Sequence, residues 1–307
     1  MKLGYVSAIL AELSLEHVFR FAQEEGFGCV ELMSWPAGKA ERKYAGVTHL
    51  DAVTMTRTRA DEIRGLASEY QMGISALGYY PNPLDADQEA ARVAQAHLKK
   101  VIKAAQILGL RTVNTFIGND HRLPREDNFA RFRKVWPPLI KLAEDSGVRI
   151  GIENCAMFFT QDEWPGGKNM AASPAMWRRL FEAIPSDFFG LNYDPSHLVW
   201  MHMDWLKPLK EFAAKLFHIH AKDVKIDRDA LNDHGILATP LTFHQPRIPG
   251  FGEIDWGQFM ATLTAVGYNG PVCIEVEDET FGRSLEGRKR ALRVARNVLA
   301  PFFPQSR

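Results

Sequence analysis

The sequence predicts a single (β/α)8 barrel over residues 1–307. Three observations lead there. Eight short apolar runs each precede a stretch of helical periodicity. No composition shift or linker divides the chain. Four of the runs stop at an acid or an imidazole, and in this architecture functional groups sit at the C-terminal ends of the strands. The 307 residues slightly exceed the roughly 250 typical of the fold, and two long loops account for the excess.

The elements follow in order. Lys2–Val6 reads as a strand. Ser14 caps a helix with Leu15, Val18, Phe19 and Ala22 on one face, and Gly26 stops it. Phe27–Leu32 is the second strand, carrying Glu31 near its end. A polar connection over 34–48 leads to a helix over about 52–70 and a third strand, Gly73–Gly78. A helix over 87–108 ends at Gly109, and a fourth strand spans 112–116. The second half repeats this rhythm. A helix covers roughly 127–144, and strand five ends at Glu153. A loop to Ser173 holds Phe158, Phe159 and Trp164, and Pro174 opens the next helix. Strand six ends at Asp194 and runs into a loop. A helix near 205–213 precedes strand seven, which ends at His220. An irregular connection over 222–253 follows. A helix starting near Trp256, strand eight over 271–275 and a helix over 285–298 complete the chain.

Composition excludes several classes. Lys+Arg and Asp+Glu balance at 37 each, so no net field draws the chain to nucleic acid or an anionic membrane. The three cysteines, Cys29, Cys155 and Cys273, lie in or beside apolar runs. They suit reduced thiols in a cytoplasmic protein better than a disulfide framework. No basic-then-apolar leader is visible and no apolar run approaches the ~18 residues of a membrane span, so neither secretion nor membrane insertion is expected.

The strand ends carry the chemistry. Gly151-Ile152 stops at Glu153, Asn192-Tyr193 at Asp194, His218-Ile219 at His220 and Cys273-Ile274 at Glu275. One such residue is ordinary. Four on four successive strands suggest ligands for one divalent metal, because carboxylate oxygens and imidazole nitrogens suit such ions. His218 and His220 are expected to face opposite sides of their strand, which leaves His220 at the barrel mouth.

Ile152-Glu153-Asn154, Asp194-Pro195-Ser196-His197, His218-Ile219-His220-Ala221-Lys222-Asp223, Pro249-Gly250-Phe251-Gly252-Glu253-Ile254-Asp255-Trp256 and Ile274-Glu275 resemble the sugar isomerase/epimerase branch of the xylose isomerase-like barrels. The resemblance covers essentially the whole chain. It implies one divalent ion, Mn2+ first and Mg2+ or Co2+ otherwise, held by Glu153, Asp194, His220 and Glu275. It also implies a small carbohydrate substrate, a keto-sugar or related polyol, isomerised or epimerised through an enediolate. Glu153 and Glu275 then act as both ligands and bases. A homo-oligomer is a further expectation from the family, although no segment identifies an interface.

Further substrate contacts are expected from His197, Asn114, Lys222 and Arg247, and from Phe159 and Trp164 in the aromatic loop. Each has a plainer structural reading: a hydrogen-bonded histidine, a surface ion pair at Arg247, a Lys222–Asp223 pair, or loop-core aromatics. One departure matters. Ketose 3-epimerases of the family carry a second substrate-binding glutamate where this chain has Phe159, so a lyase on the same scaffold, a dehydratase or a keto-glycoside-cleaving enzyme, is the main alternative. An abasic-site endonuclease would need histidines where strands three and four end in Tyr79-Tyr80 and Asn114–Phe116. A non-catalytic sugar binder has no use for so full a ligand set.

Overall fold

The computed structural model describes residues 1–38, 45–158 and 166–303. Phe159 and Trp164, two of the expected substrate contacts, lie outside these residues. The strands are β1 (Lys2–Val6), β2 (Cys29–Met33), β3 (Gly73–Gly78), β4 (Thr112–Thr115), β5 (Arg149–Glu153), β6 (Phe189–Tyr193), β7 (Leu216–Ala221), β8 (Asp223–Ile226), β9 (His244–Arg247) and β10 (Pro271–Ile274). All but β8 and β9 form a closed parallel barrel in chain order, with β10 returning to β1.

The helices form where local chemistry places them. Helix α1 (Leu15–Glu24) starts at Ser14, whose side chain accepts from the His17 amide, and buries Val18, Phe19 and Ala22. Helix α2 spans Arg57–Glu69. The long α3 (Gln88–Leu108) is capped by Asp87 and stopped by Gly109, whose φ of 74° is the left-handed conformation glycine adopts freely. Helices α4 (Arg125–Asp145), α5 (Pro174–Ala183), α6 (Pro195–Trp200), α7 (Lys207–Glu211), α8 (Arg228–His234), α9 (Trp256–Ala265) and α10 (Leu285–Leu299) follow. Between helices and barrel sit large, fully buried side chains such as Trp136, Trp177, Phe189 and Phe259. Each stabilises the fold by roughly 1.5–3 kcal/mol on area grounds. Among the described residues, no helix is long and apolar enough to cross a membrane.

Two expectations are corrected. The 222–253 connection is not irregular: it contains the antiparallel hairpin β8–β9 and helix α8. The strands are four residues each; Val224 and Ile226 alternate with polar residues in β8, but β9 is His244-Gln245-Pro246-Arg247 and carries no alternation, so the pair offers too short a pattern to be read as a hairpin. The chain after β6 does not enter a loop either. Asp194 is the N-cap of α6, its carboxylate accepting from the Ser196 amide at 2.8 Å.

Candidate functional site

The C-terminal ends of β5, β6, β7 and β10 converge. Oxygens of Glu153, Asp194 and Glu275 and a ring nitrogen of His220 all lie within 4.8 Å of one another. Local structure places each group. The Asn154 side chain pairs with the Asp194 backbone, donating to its carbonyl at 2.9 Å and accepting from its amide at 2.8 Å. It thereby locks the ends of β5 and β6 together. Asn169 donates to the carbonyl oxygens of Glu153 and Cys155 and accepts from the amides of Ile117 and Gly118.

This donor set fits a divalent ion. Three carboxylates and one imidazole are hard to borderline donors. The buried His220 Nδ1 and Asp194 Oδ2 make no hydrogen bond, although Asp194 Oδ2 ion-pairs with Lys222 at 3.0 Å.

Lys222 is the surprise of the site. Its side chain is 3% exposed, and its Nζ lies 2.7 Å from Glu275 and 3.2 Å from Glu277 as well as 3.0 Å from Asp194. It does not pair with Asp223. That carboxylate instead accepts from the amides of Val224, Gly250 and Ile254 and from the Trp256 indole. The Pro249–Trp256 motif is thus a turn wrapped around Asp223. A side chain at Gly252 would collide with that carboxylate, which explains the glycine.

Charge separates the two glutamates. Burial, reinforced by Glu275, raises the Glu153 pKa. Burial acts on Glu275 too, but Lys222 and His220 outweigh it and hold that carboxyl well below the usual range.

His197 lies 3.4 Å from Glu153 and 3.3 Å from Asp194 through Nε2. Its Nδ1 accepts from the Trp200 indole at 3.2 Å. Because an indole only donates, Nε2 carries the proton and His197 presents an N–H to the site, not a metal-binding lone pair.

A cavity of about 1020 Å³ opens above these groups. Its lining mixes apolar and aromatic side chains such as Met33, Trp35, Tyr80 and Phe116 with charged ones, Lys222, Arg247, Glu275 and Glu277. Arg247 reaches the cavity while bound to Asp278 at 3.1 Å and Thr280 at 3.0 Å. Asn114 is fully buried in β4 and does not line the cavity. Phe158 does line it, packed against Trp200.

Sequence reasoning missed what lies below. His218 and His220, two residues apart, share a face of β7, and both are buried inside the barrel. The expectation of opposite faces was wrong on strand geometry. His220 Nε2 contacts Glu31 at 2.8 Å, and Tyr80 donates to the same carboxylate. The available signal was an acid inside an apolar strand, Val30-Glu31-Leu32.

Comparison with known proteins agrees with this geometry. Residues 19–299 match the family described as "Xylose isomerase-like TIM barrel". An uncharacterized protein, YfiH of Bacillus subtilis (strain 168), is 27% identical over 92% of this chain and 94% of its own. Inosose dehydratase of Geobacillus thermodenitrificans (strain NG80-2) is 30% identical over 33% of this chain and 35% of its own. Among solved structures, IolI protein with a bound zinc atom superposes with a TM-score of 0.70 at 17% identity, covering 99% of this chain and 100% of its own. D-psicose 3-epimerase, crystallised in the presence of D-fructose, gives a TM-score of 0.67 at 15% identity, covering 97% and 99%. The match to the family over most of its length shows that this chain belongs to the xylose isomerase-like TIM barrels.

Proposed function

We propose that this protein is a divalent-metal-dependent isomerase or epimerase of a keto-sugar or related polyol. The observation that carries the reading is the convergence of Glu153, Asp194, His220 and Glu275 at a cavity that Glu153 and Glu275 line together with apolar and charged side chains. A divalent ion held by those residues would polarise a substrate carbonyl and acidify the neighbouring C–H. The remaining work falls to the chain. Glu153 ends β5 and Glu275 directly follows β10, and the two carboxylates are taken to flank a substrate carbon from two sides. A proton taken by one and returned by the other inverts that carbon; one carboxylate moving it between adjacent carbons isomerises the sugar. His197 Nε2–H and Lys222 donate to substrate oxygens, and the apolar lining of Met33, Trp35 and Phe116 keeps water off the reacting carbon.

The test is turnover of a panel of ketoses and keto-glycosides in D2O with added Mn2+. Deuterium on the carbon beside the carbonyl, with product mass otherwise unchanged, supports the reading. Absence of exchange and turnover across the panel contradicts it. A lyase is the second reading, favoured by the partial match to inosose dehydratase. It predicts the same exchange with a product lighter by the leaving group.

A further inference from the structure

We infer that Glu31 is a positioning residue that fixes His220 with its proton on Nε2, so that Nδ1 faces the carboxylate cluster as a ligand. The inference rests on the metal site proposed above and extends it to a strand that supplies no ligand.

The argument starts from the shortest contact. Glu31 and His220 are both 0% exposed, and His220 Nε2 lies 2.8 Å from Glu31 Oε2. Two lone pairs cannot face each other at that distance, so the ring nitrogen donates. Asn192 Nδ2 and Tyr80 Oη also approach Nε2, at 3.1 and 3.3 Å, both farther than the Glu31 oxygen, and each has another partner. Tyr80 donates to Glu31 Oε1 and accepts from Asn192 Nδ2 at 3.2 Å. Asn192 Oδ1 accepts from His218 Nδ1 at 3.0 Å, leaving His218 Nε2 to accept from Ser75 Oγ at 3.1 Å. The bonds to Glu31, Tyr80, Asn192 Oδ1 and Ser75 then each have one direction, and the longer Asn192 Nδ2 approach to His220 Nε2, at 3.1 Å, is a contact between donors.

Donor atoms of Glu31, His218 and His220 also lie within 4.8 Å of one another, but the hydrogen bonds just described account for their polar atoms without an ion. Both His218 nitrogens and both Glu31 oxygens are taken by protein partners. On the other side of the ring, His220 Nδ1 has no hydrogen-bond partner. It sits 3.5 Å from Glu275 and 3.9 Å from Glu153. Gly78 makes room for the device, since a Cβ there would come within 2.6 Å of Glu31 Oε1. A carboxylate behind a ligating imidazole fixes the ring's orientation and raises its basicity, and losing such a partner commonly weakens metal binding about 10–100-fold.

The experiment uses Zn2+ as the probe on the full chain. In 15N-histidine spectra of the Zn2+-loaded wild type, His220 is expected to carry metal on Nδ1 and a slowly exchanging proton on Nε2. Metal on Nε2 overturns the inference even if no variant folds. Chelator competition should show Glu31→Gln, which keeps the side-chain shape, binding Zn2+ about 10–100-fold more weakly. A merely structural Glu31 would change the melting temperature of the metal-free protein and leave Zn2+ affinity where it was; that outcome refutes the inference alone. A wild type that binds no Zn2+ overturns the functional reading and this inference together.

Discussion

Replacing Lys222 by methionine should destabilise the metal-free protein and make metal binding more stabilising than in the wild type. The ammonium is the common partner of Asp194, Glu275 and Glu277, at 3.0, 2.7 and 3.2 Å. The side chains of Asp194 and Glu275 are 0% and 18% exposed, so both lose a partner they cannot replace with bulk water. Glu277, at 35%, is largely screened by solvent and adds little. Removing one member of a buried ion pair costs about 3–5 kcal/mol. Proton uptake by the stranded carboxylates caps the loss, which places Lys222→Met at ~3 kcal/mol, a fall in melting temperature of about 5 °C for a chain of this size. A divalent ion restores positive charge at the same oxygens and no longer meets a neighbouring ammonium. Thermal unfolding of both proteins, with chelator and with saturating Mn2+, reads both effects. Equal stability without metal, or equal gains on adding it, would refute the charge assignment.

Three further outcomes follow from the same geometry. Asp194→Asn exchanges an anionic donor for a neutral amide, so affinity for divalent ions should fall at least ~10-fold while the circular-dichroism spectrum of the barrel is retained; calorimetric titration checks this. Glu153→Gln and Glu275→Gln should each lower kcat by at least the ~10²–10⁴ associated with a positioned base, and near wild-type turnover in both would remove them as bases. His244 is buried against Trp200, and burial, with the nearby Lys222, lowers its pKa from 6.5 to about 3. The unfolded chain therefore binds more protons than the native one between those values, and stability is lost as pH falls through that window. His244→Phe keeps the ring stack without the titration, so its melting temperature should fall less steeply than that of the wild type from pH 6.5 to pH 4; parallel curves would contradict this.

Much of the barrel was legible because its signals are local. Apolar runs ending at Glu153, Asp194 and Glu275 and helix signals such as Ser14 and Gly109 act within a few residues of themselves. What escaped depends on distance or on tertiary support. Glu31 meets His220 across 189 positions of sequence, with no motif to announce it. The β8–β9 hairpin shows alternation over only the four residues of β8 and none in β9, and is held by the Asp223 turn and by Arg247 on Asp278. The role of Lys222 follows from three carboxylates contributed by β6 and by the segment after β10, which no local pattern could assemble.

The central claim is that Glu153, Asp194, His220 and Glu275 hold one divalent ion. Anomalous diffraction from crystals of the Mn2+-loaded protein tests it most directly. A single peak is predicted among those four side chains, with His220 contributing Nδ1 and Lys222 displaced from at least one carboxylate. A peak elsewhere, or none at saturating Mn2+, would contradict the account.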